Sequence, residues 1–273
     1  MAEVARRTLA GEEPLELLCC AQAGSAPRTP LLFVHGGHVG AWCWAEHFLG
    51  WFAERGFASY AVSLRGHGAS AGRERLNLFG LADYAKDVAA AIAALERPPA
   101  LIGHSMGAMV VQKVLEQASA PAAVLACPVP SYGLLPATFS LALTRPGLLA
   151  DIQAVHAGGD ASLETLAEAL FAAPMDVARL AEYRARMQRE SRRAILDMAG
   201  LGLPQRWRMN LPATLVLGAE KDALIAPSAA EASARLLGAE FRLLPGLGHA
   251  VMLESNWQVA AQAILGWLEE QGL

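Results

Sequence analysis

The chain of 273 residues lacks the features that mark several classes of protein. Its four cysteines have neither the paired spacing of a metal site nor the density of a disulfide framework, so we expect free, buried thiols. There is no long basic run, and a net charge of −4 argues against nucleic acid as a partner. No metal or cofactor is expected.

Long apolar runs are also missing, although hydrophobic residues make up 54% of the chain. The longest uncharged run, residues 118–144, contains four prolines, which a membrane-spanning helix tolerates poorly. The first residues lead into no apolar segment of the kind found in secretory signals. We therefore expect a cytoplasmic protein without stable insertion in a membrane.

The most informative stretch contains a serine between two glycines. A short apolar run begins at Ala100 and breaks at Gly103 and Gly107, which flank Ser105, and an apolar pattern at helical spacing follows. This order predicts a strand, a sharp turn and a helix, with the serine hydroxyl exposed above the sheet. Ser105 is therefore the candidate nucleophile, and the amide of Met106 should face a substrate oxygen.

Strand and helix patterns alternate along most of the chain, beginning after a hairpin predicted over residues 4–21. This alternation predicts the α/β class, with a mostly parallel sheet flanked by helices. Between residues 128 and 209 it gives way to helical patterns, among them a helix predicted over residues 177–199. We therefore predict a core of residues 1–127 and 210–273, and a helical cap of residues 128–209 inserted before the last two strands.

A serine hydroxyl needs a neighbouring base, and that base needs an orienting partner. Among the seven histidines, His249 is best placed, because it follows the last predicted strand in a glycine-rich loop. Asp222 follows the preceding strand and should lie at the same sheet edge, with Glu220 as the fallback. The alternatives are an ordinary serine at a strand–helix junction, a packed loop histidine and a turn-capping aspartate.

Four stretches, taken in this order, resemble the α/β-hydrolase superfamily, in particular its cap-bearing, esterase-like members. They are residues 35–44 (HGGHVGAWCW), residues 65–70 (RGHGAS), the turn at Ser105, and residues 218–227 followed by Gly248 and His249. The resemblance implies the α/β-hydrolase fold and a triad of Ser105, His249 and Asp222. It also implies an oxyanion hole formed by the backbone N–H groups of Gly37 and Met106.

Other residues near these motifs are assigned structural roles. We expect His104 to support the fold, His35 to hold the loop that it begins through hydrogen bonds, and residues 65–70 to brace the turn at Ser105. For His38, a contact at the rim of the site and a scaffold role both stay open. Many relatives have an aspartate just before the RGHG motif, where this chain has Ser63.

These observations predict a serine hydrolase that cleaves a carboxylic ester through an acyl-enzyme on Ser105. The uncharged segment 129–144 should line the cap side of the pocket, so we expect a small-molecule ester with an apolar acyl or alcohol part. The candidate substrate-binding residues are His38, Tyr132, Leu134, Leu135 and Phe139. The oligomeric state is not predicted.

A lysophospholipid or monoacylglycerol stays open as the ester substrate, and there are three alternative functions. A thioesterase acting on acyl-CoA or acyl-carrier thioesters would use the same residues. A lyase of the hydroxynitrile type is disfavoured, because such relatives carry a lysine after the catalytic histidine and this chain has Ala250. A non-catalytic ligand receptor would more often have a damaged triad.

A cluster of six arginines between residues 179 and 193 has two interpretations. It predicts either a site for an anion or a solvated cap helix. In the second case, Glu182, Arg186 and Glu190 would form an ion-pair ladder at i, i+4 and i+8.

Overall fold

The computed structural model describes residues 3–22, 28–157, 159 and 162–273. Residues 1, 2 and 23–27 of the predicted core, and residues 158, 160 and 161 of the predicted cap, lie outside the described residues. The strands form one sheet in the order β1-β2-β4-β3-β5-β6-β7-β8. The bounds are β1 (Ala5–Leu9), β2 (Leu15–Cys20), β3 (Leu31–Val34), β4 (Ser59–Val62), β5 (Ala100–His104), β6 (Ala122–Ala126), β7 (Ala213–Ala219) and β8 (Glu240–Leu244). Strand β2 pairs antiparallel with β1 and β4, and all other pairs are parallel. The predicted α/β class with a mostly parallel sheet is confirmed.

The helices lie between these strands. Their bounds are α1 (Trp42–Ala45), α2 (Phe48–Ala53), α3 (Leu81–Ala93), α4 (Met106–Leu115), α5 (Leu135–Thr144), α6 (Pro146–Ala157), α7 (Leu163–Leu170), α8 (Val177–Arg186), α9 (Arg192–Leu196), α10 (Pro227–Leu237) and α11 (Gln258–Glu270). Short 3₁₀ turns occur at Arg73–Leu78 and Arg206–Arg208, and a π-helical turn at Asp197–Leu201. Among the described residues, no helix is both long and apolar enough to cross a membrane.

Two apolar clusters cover the two faces of the sheet. Helices α1, α2 and α11 pack on one face, and α3, α4 and α10 pack on the other. Strand β3 shows why its sequence is apolar throughout: Leu31 and Phe33 contact the first cluster, whereas Leu32 and Val34 contact the second. A parallel strand covered on both faces buries every side chain, so it has no polar alternation.

Between β6 and β7, the described residues form helices α5 to α9 and no strand. We refer to residues 127–212 as the helical insertion. It packs on the core through buried side chains that include Leu166, Leu180 and Tyr183. The assignment of residues 128–209 as a cap stays a prediction.

The prediction of a single helix over residues 177–199 is wrong. Helix α8 ends at Arg186, the backbone of Met187 is extended, and α9 begins after Ser191, whose Oγ accepts a hydrogen bond from the Ala194 N–H and caps it. Glu182 and Arg186 do form an ion pair at 3.8 Å. The predicted ladder nevertheless ends there, because Glu190 lies beyond the helix and is buried.

Candidate active site

Ser105 occupies the sharp turn between β5 and α4. Its backbone has φ 52° and ψ −117°, a conformation that a non-glycine residue rarely adopts and that is often found at functional sites. A Cβ at Gly103 would lie 2.5 Å from the carbonyl oxygen of Gly107, and a Cβ at Gly107 would lie 2.4 Å from that of His35. Both flanking positions therefore require glycine.

The side chains of Ser105, His249 and Asp222 form a hydrogen-bonded chain. Ser105 Oγ lies 3.0 Å from His249 Nε2, and His249 Nδ1 lies 2.8 Å from Asp222 Oδ2. The second carboxylate oxygen of Asp222 accepts hydrogen bonds from the N–H groups of Leu224 (2.9 Å) and Ile225 (2.8 Å). These bonds fix the carboxylate, which in turn directs the Nδ1–H tautomer of His249.

Glu220, the fallback acid, is not part of this chain. Its side chain is 42% exposed, and its carboxylate accepts a hydrogen bond from the Gly246 N–H at 2.9 Å. The geometry therefore selects Asp222 as the partner of His249.

Sequence reasoning missed Cys127, which directly follows β6 and whose buried thiol lies near Asp222. Burial, and then the negative charge of Asp222, raise the pKa of this thiol well above its usual value, so it stays neutral. Among the described residues, His104, Cys127 and His249 have ligand atoms within 4.8 Å of one another, as a metal site would require. Both ring nitrogens of His249 are already engaged in hydrogen bonds, so we assign no metal to this group.

His104 supports the backbone of the loop that contains His249. Its Nε2–H donates to the carbonyl oxygen of His249 at 2.9 Å. Burial, and then the proximity of His249, lower the pKa of His104 to about 3, so the ring is neutral. The contact agrees with the structural role expected for this residue.

Residues 35–38 form the loop after β3, which we call the 35–38 loop. His35 Nε2 accepts a hydrogen bond from the Leu64 N–H at 3.0 Å, and its Nδ1–H donates to the carbonyl of Gly36 at 2.8 Å. Burial lowers the pKa of His35 to about 3, so this pair of bonds belongs to the neutral ring. Gly37 lies in the wall of the cavity at Ser105, as does Met106, whose N–H at the start of α4 has no partner within the helix.

Ser63, which stands where many relatives have an aspartate, is hydrogen-bonded to a carboxylate on β2. Ser63 Oγ donates to Glu16 Oε2 at 2.7 Å and accepts from the Ala41 N–H at 2.9 Å. Glu16 Oε2 also accepts from the Ala69 N–H at 3.0 Å. A buried carboxylate from another strand thus supplies the acceptor that braces the loop of residues 65–70.

Ser105 and His249 open into a cavity of about 410 Å³. Its wall is mostly apolar, and the helical insertion provides much of it. The lining residues from the insertion include Leu134, Leu141, Ile152, Leu166, Leu170 and Leu180.

Of the five predicted substrate-binding residues, the cavity wall contains His38 and Leu134 but not the other three. Tyr132, Leu135 and Phe139 are 38%, 65% and 67% exposed, and their assignment as substrate-binding residues stays a prediction. Helical periodicity explains why they lie outside this wall: Leu134 and residues 137, 138 and 141 share one face of α5 and line the cavity, whereas Leu135 and Phe139 lie on the opposite face.

The arginines between residues 179 and 193 lie in different environments. Arg179 and Arg186 both pair with Glu46, at 2.7 and 3.1 Å, and Arg193 pairs with Asp197 at 3.1 Å. Arginines 189 and 192 line a second cavity of about 400 Å³, which shares His38 and Glu190 with the cavity at Ser105. For Arg179, Arg186 and Arg193, the solvated-helix interpretation fits better than an anion site.

A family model described as the alpha/beta hydrolase family matches residues 31–263. No curated protein sequence matches the chain. Solved structures with a similar fold include a membrane phospholipase A described as a bacterial virulence factor, at 19% identity, TM-score 0.74, and coverage of 98% of this chain and 86% of that one. A thermophilic esterase is 18% identical over 99% of both chains, with TM-score 0.67.

A third solved structure, the carboxylesterase CesB of Bacillus subtilis, is 18% identical with TM-score 0.70, over 97% of this chain and 92% of that one. At such identities these likenesses show the fold. The family match covers most of the chain, from β3 into α11. This protein belongs to the alpha/beta hydrolase family.

Proposed function

We propose that the protein is a serine hydrolase that cleaves a carboxylic ester through an acyl-enzyme on Ser105. The observation that carries this proposal is the hydrogen-bonded chain from Ser105 through His249 to Asp222, at a strained turn that opens into an apolar cavity. A nucleophile, its base and an orienting carboxylate within hydrogen-bond distance are the requirements for acyl transfer by serine.

In the first half of the reaction, His249 accepts the Ser105 proton at Nε2 while Oγ attacks the acyl carbon. Asp222 stabilises the imidazolium that forms. The carbonyl oxygen becomes negatively charged, and the N–H groups of Gly37 and Met106 donate hydrogen bonds to it. His249 then protonates the alcohol oxygen as the bond between the acyl carbon and that oxygen breaks.

In the second half, a water molecule attacks the acyl-enzyme. His249 takes the water proton and later returns a proton to Ser105 Oγ, which releases the carboxylic acid. The residues alone supply the nucleophile, base and hydrogen-bond donors, so the proposed reaction needs no cofactor.

The substrate that we propose is a small-molecule ester with an apolar acyl or alcohol part. A mostly apolar cavity of about 410 Å³ next to Ser105 supports it. The solved structures of similar fold include esterases and a phospholipase, which agrees with ester hydrolysis as the reaction type. Cytoplasmic location stays a prediction.

A thioesterase is the second candidate function, and the second cavity favours it. Arg73, Arg189 and Arg192 line this cavity of about 400 Å³, which adjoins the cavity at Ser105. These positive charges would bind the phosphates of an acyl-CoA substrate, at the far end of its pantetheine arm, while the thioester lies in the cavity at Ser105.

A fluorophosphonate probe tests the nucleophile. We expect it to label the folded protein on Ser105, to leave Ser105→Ala unlabelled, and to label His249→Ala much more slowly. Ser140→Ala, which alters an exposed serine on α5, is the matched control and should react like the wild type. Absence of labelling in the folded wild type would refute the proposal and favour a ligand receptor.

The substrate class requires a separate measurement. We expect p-nitrophenyl esters of graded chain length to be hydrolysed with higher kcat/KM than acyl-CoA thioesters of the same acyl groups. A clear preference for the thioesters would replace the esterase with the thioesterase.

A further inference from the structure

The segment that joins α8 to α9 crosses the 35–38 loop and is bonded to it. We call residues 187–191 the strap. The Gln188 N–H donates to the carbonyl oxygen of His38 at 2.8 Å, and His38 Nδ1 lies 3.1 Å from the carbonyl oxygen of Gln188. The Gln188 side chain accepts from the Gly68 N–H at 3.0 Å and donates to the Gly66 carbonyl at 2.7 Å. The strap thus joins two loops of the core next to Ser105.

Glu190, also on the strap, is buried and uses both carboxylate oxygens. Oε2 lies 3.0 Å from His67 Nε2 and 3.4 Å from the backbone nitrogen of His38. Oε1 accepts from the Tyr84 hydroxyl at 2.8 Å and from the Ser191 N–H at 2.7 Å. One carboxylate of the insertion therefore contacts the 35–38 loop, the 65–70 loop and α3.

Within the 35–38 loop, the strap contacts His38, whose backbone is strained. His38 has φ 66°, in the left-handed region that non-glycine residues rarely adopt. Such a conformation persists only where the surrounding contacts determine it. Here those contacts include Gln188 and Glu190, together with His156, whose ring stacks on that of His38 with centroids 5.4 Å apart. The peptide that Gln188 and Glu190 hold directly follows Gly37.

The charge of Glu190 also bears on the site. Burial alone would raise the pKa of this carboxyl, but the charge and hydrogen bond of His67 outweigh burial and lower it to about 2. For His67, burial alone would lower the pKa, but the charge of Glu190 outweighs burial and raises the pKa. The two groups therefore form a buried ion pair. Because a Cβ on Gly37 would lie 3.4 Å from Glu190 Oε2, an unpaired carboxylate there would repel an oxyanion held by Gly37.

We propose that Glu190 is a positioning residue for the oxyanion hole: it holds the peptide after Gly37 so that the Gly37 N–H faces the reacting carbonyl oxygen, while His67 neutralises its charge. The inference rests on the proposed function, because it requires an oxyanion formed at Ser105. It gives the helical insertion a part in the chemistry in addition to its part in the cavity wall.

Glu190→Gln tests the positioning role. The amide lacks the charge and one of the acceptor oxygens, so the 35–38 loop loses part of its support. Since removal of a whole oxyanion donor costs on the order of 10²–10³ in rate, we expect misalignment to lower kcat by about 10–100-fold, with KM within about threefold of the wild type. Glu182→Gln removes an exposed carboxylate from the same insertion and should leave kcat unchanged.

A trifluoromethyl ketone inhibitor separates positioning from a general loss of structure. Its hemiketal with Ser105 carries an oxyanion, so its inhibition constant should rise in Glu190→Gln by the factor by which kcat/KM falls. Thermal denaturation checks that the variant is folded. If that variant does not fold, Glu190→Asp, which keeps the charge and shortens the side chain, is measured by the same two readouts and decides the question.

A double-mutant cycle tests the charge argument. His67→Asn leaves the Glu190 carboxylate unpaired beside the oxyanion, so it should lower kcat more than Glu190→Gln does. The variant with both substitutions should recover kcat by at least about threefold over His67→Asn. Losses that simply add would contradict the proposed neutralisation.

The outcomes distinguish this inference from the proposed function. If wild-type protein fails to react with the fluorophosphonate, the proposed function fails. If the wild type reacts and folded Glu190 variants keep wild-type kcat and inhibition constants, the positioning role of Glu190 is refuted while the hydrolase assignment stands.

Discussion

Replacing Asp222 with asparagine isolates the contribution of the carboxylate that orients His249. The asparagine oxygen can keep the hydrogen bonds from the N–H groups of Leu224 and Ile225, which Asp222 Oδ1 accepts at 2.9 and 2.8 Å. The amide nitrogen then takes the place of Oδ2, which lies 2.8 Å from His249 Nδ1. An N–H group there selects the tautomer of His249 with its proton on Nε2, facing Ser105.

That tautomer has no lone pair with which to accept the Ser105 proton. We expect kcat to fall about 10⁴-fold, which corresponds to about 5.4 kcal/mol of transition-state stabilisation. Because both backbone hydrogen bonds to residue 222 are kept, the free energy of unfolding should change by less than about 1 kcal/mol. Activity and stability should therefore separate in this variant.

The assay is hydrolysis of a p-nitrophenyl ester under saturating conditions, together with urea denaturation. Glu220→Gln is the matched control, because Glu220 is an exposed carboxylate two residues away, and its kcat should stay within about threefold of the wild type. A folded Asp222→Asn variant that keeps more than about a tenth of wild-type kcat would refute the assigned role.

Three further predictions concern packing, pH and the cavity. Gly107→Ala should lower the free energy of unfolding by about 2 kcal/mol or more, because the new Cβ meets the carbonyl oxygen of His35 at 2.4 Å; an unchanged melting temperature would contradict this. Burial lowers the pKa of His35 and of His104 to about 3, so the folded state does not take up protons that the unfolded chain binds below about pH 6.5. The free energy of unfolding should therefore be highest above that pH and should fall on acidification, by about 1.5 kcal/mol for each histidine between pH 6.5 and 5. Urea denaturation that shows no such fall would contradict this prediction. Leu134→Trp should shift the preferred ester to shorter acyl chains, whereas Leu135→Trp, at an exposed position, should not. The measurement is kcat/KM across a series of esters of increasing chain length, and an equal effect of both substitutions would contradict the prediction.

Strands of the parallel sheet were predictable because their sequences are short apolar runs that end at turn residues. Strand β5 and helix α4 flank Ser105 in the order that its apolar run, two glycines and helical pattern predict. The three residues of the hydrogen-bonded chain were predictable for a related reason. Each follows a strand of one sheet, and the carboxyl ends of parallel strands meet at one edge.

The helical insertion was less predictable, because distant contacts decide its details. The helical pattern continues through residue 190, yet Glu190 lies outside a helix. It is hydrogen-bonded there to Tyr84 and His67, which are 106 and 123 residues away in sequence. Nothing in the local sequence marks these partners. Helix α5 has apolar residues on both faces, so composition could not tell that Leu134 faces the cavity and Phe139 faces outward.

The central claim is that the acyl group of the substrate is transferred to Ser105. Its most direct test is acid quenching of the protein during turnover of a slowly hydrolysed ester, followed by mass spectrometry of the peptides. The peptide that contains Ser105 should gain the mass of the acyl group in the wild type and should remain unmodified in Ser105→Ala. An acyl group on a different residue, or turnover by Ser105→Ala at the wild-type rate, would contradict the account.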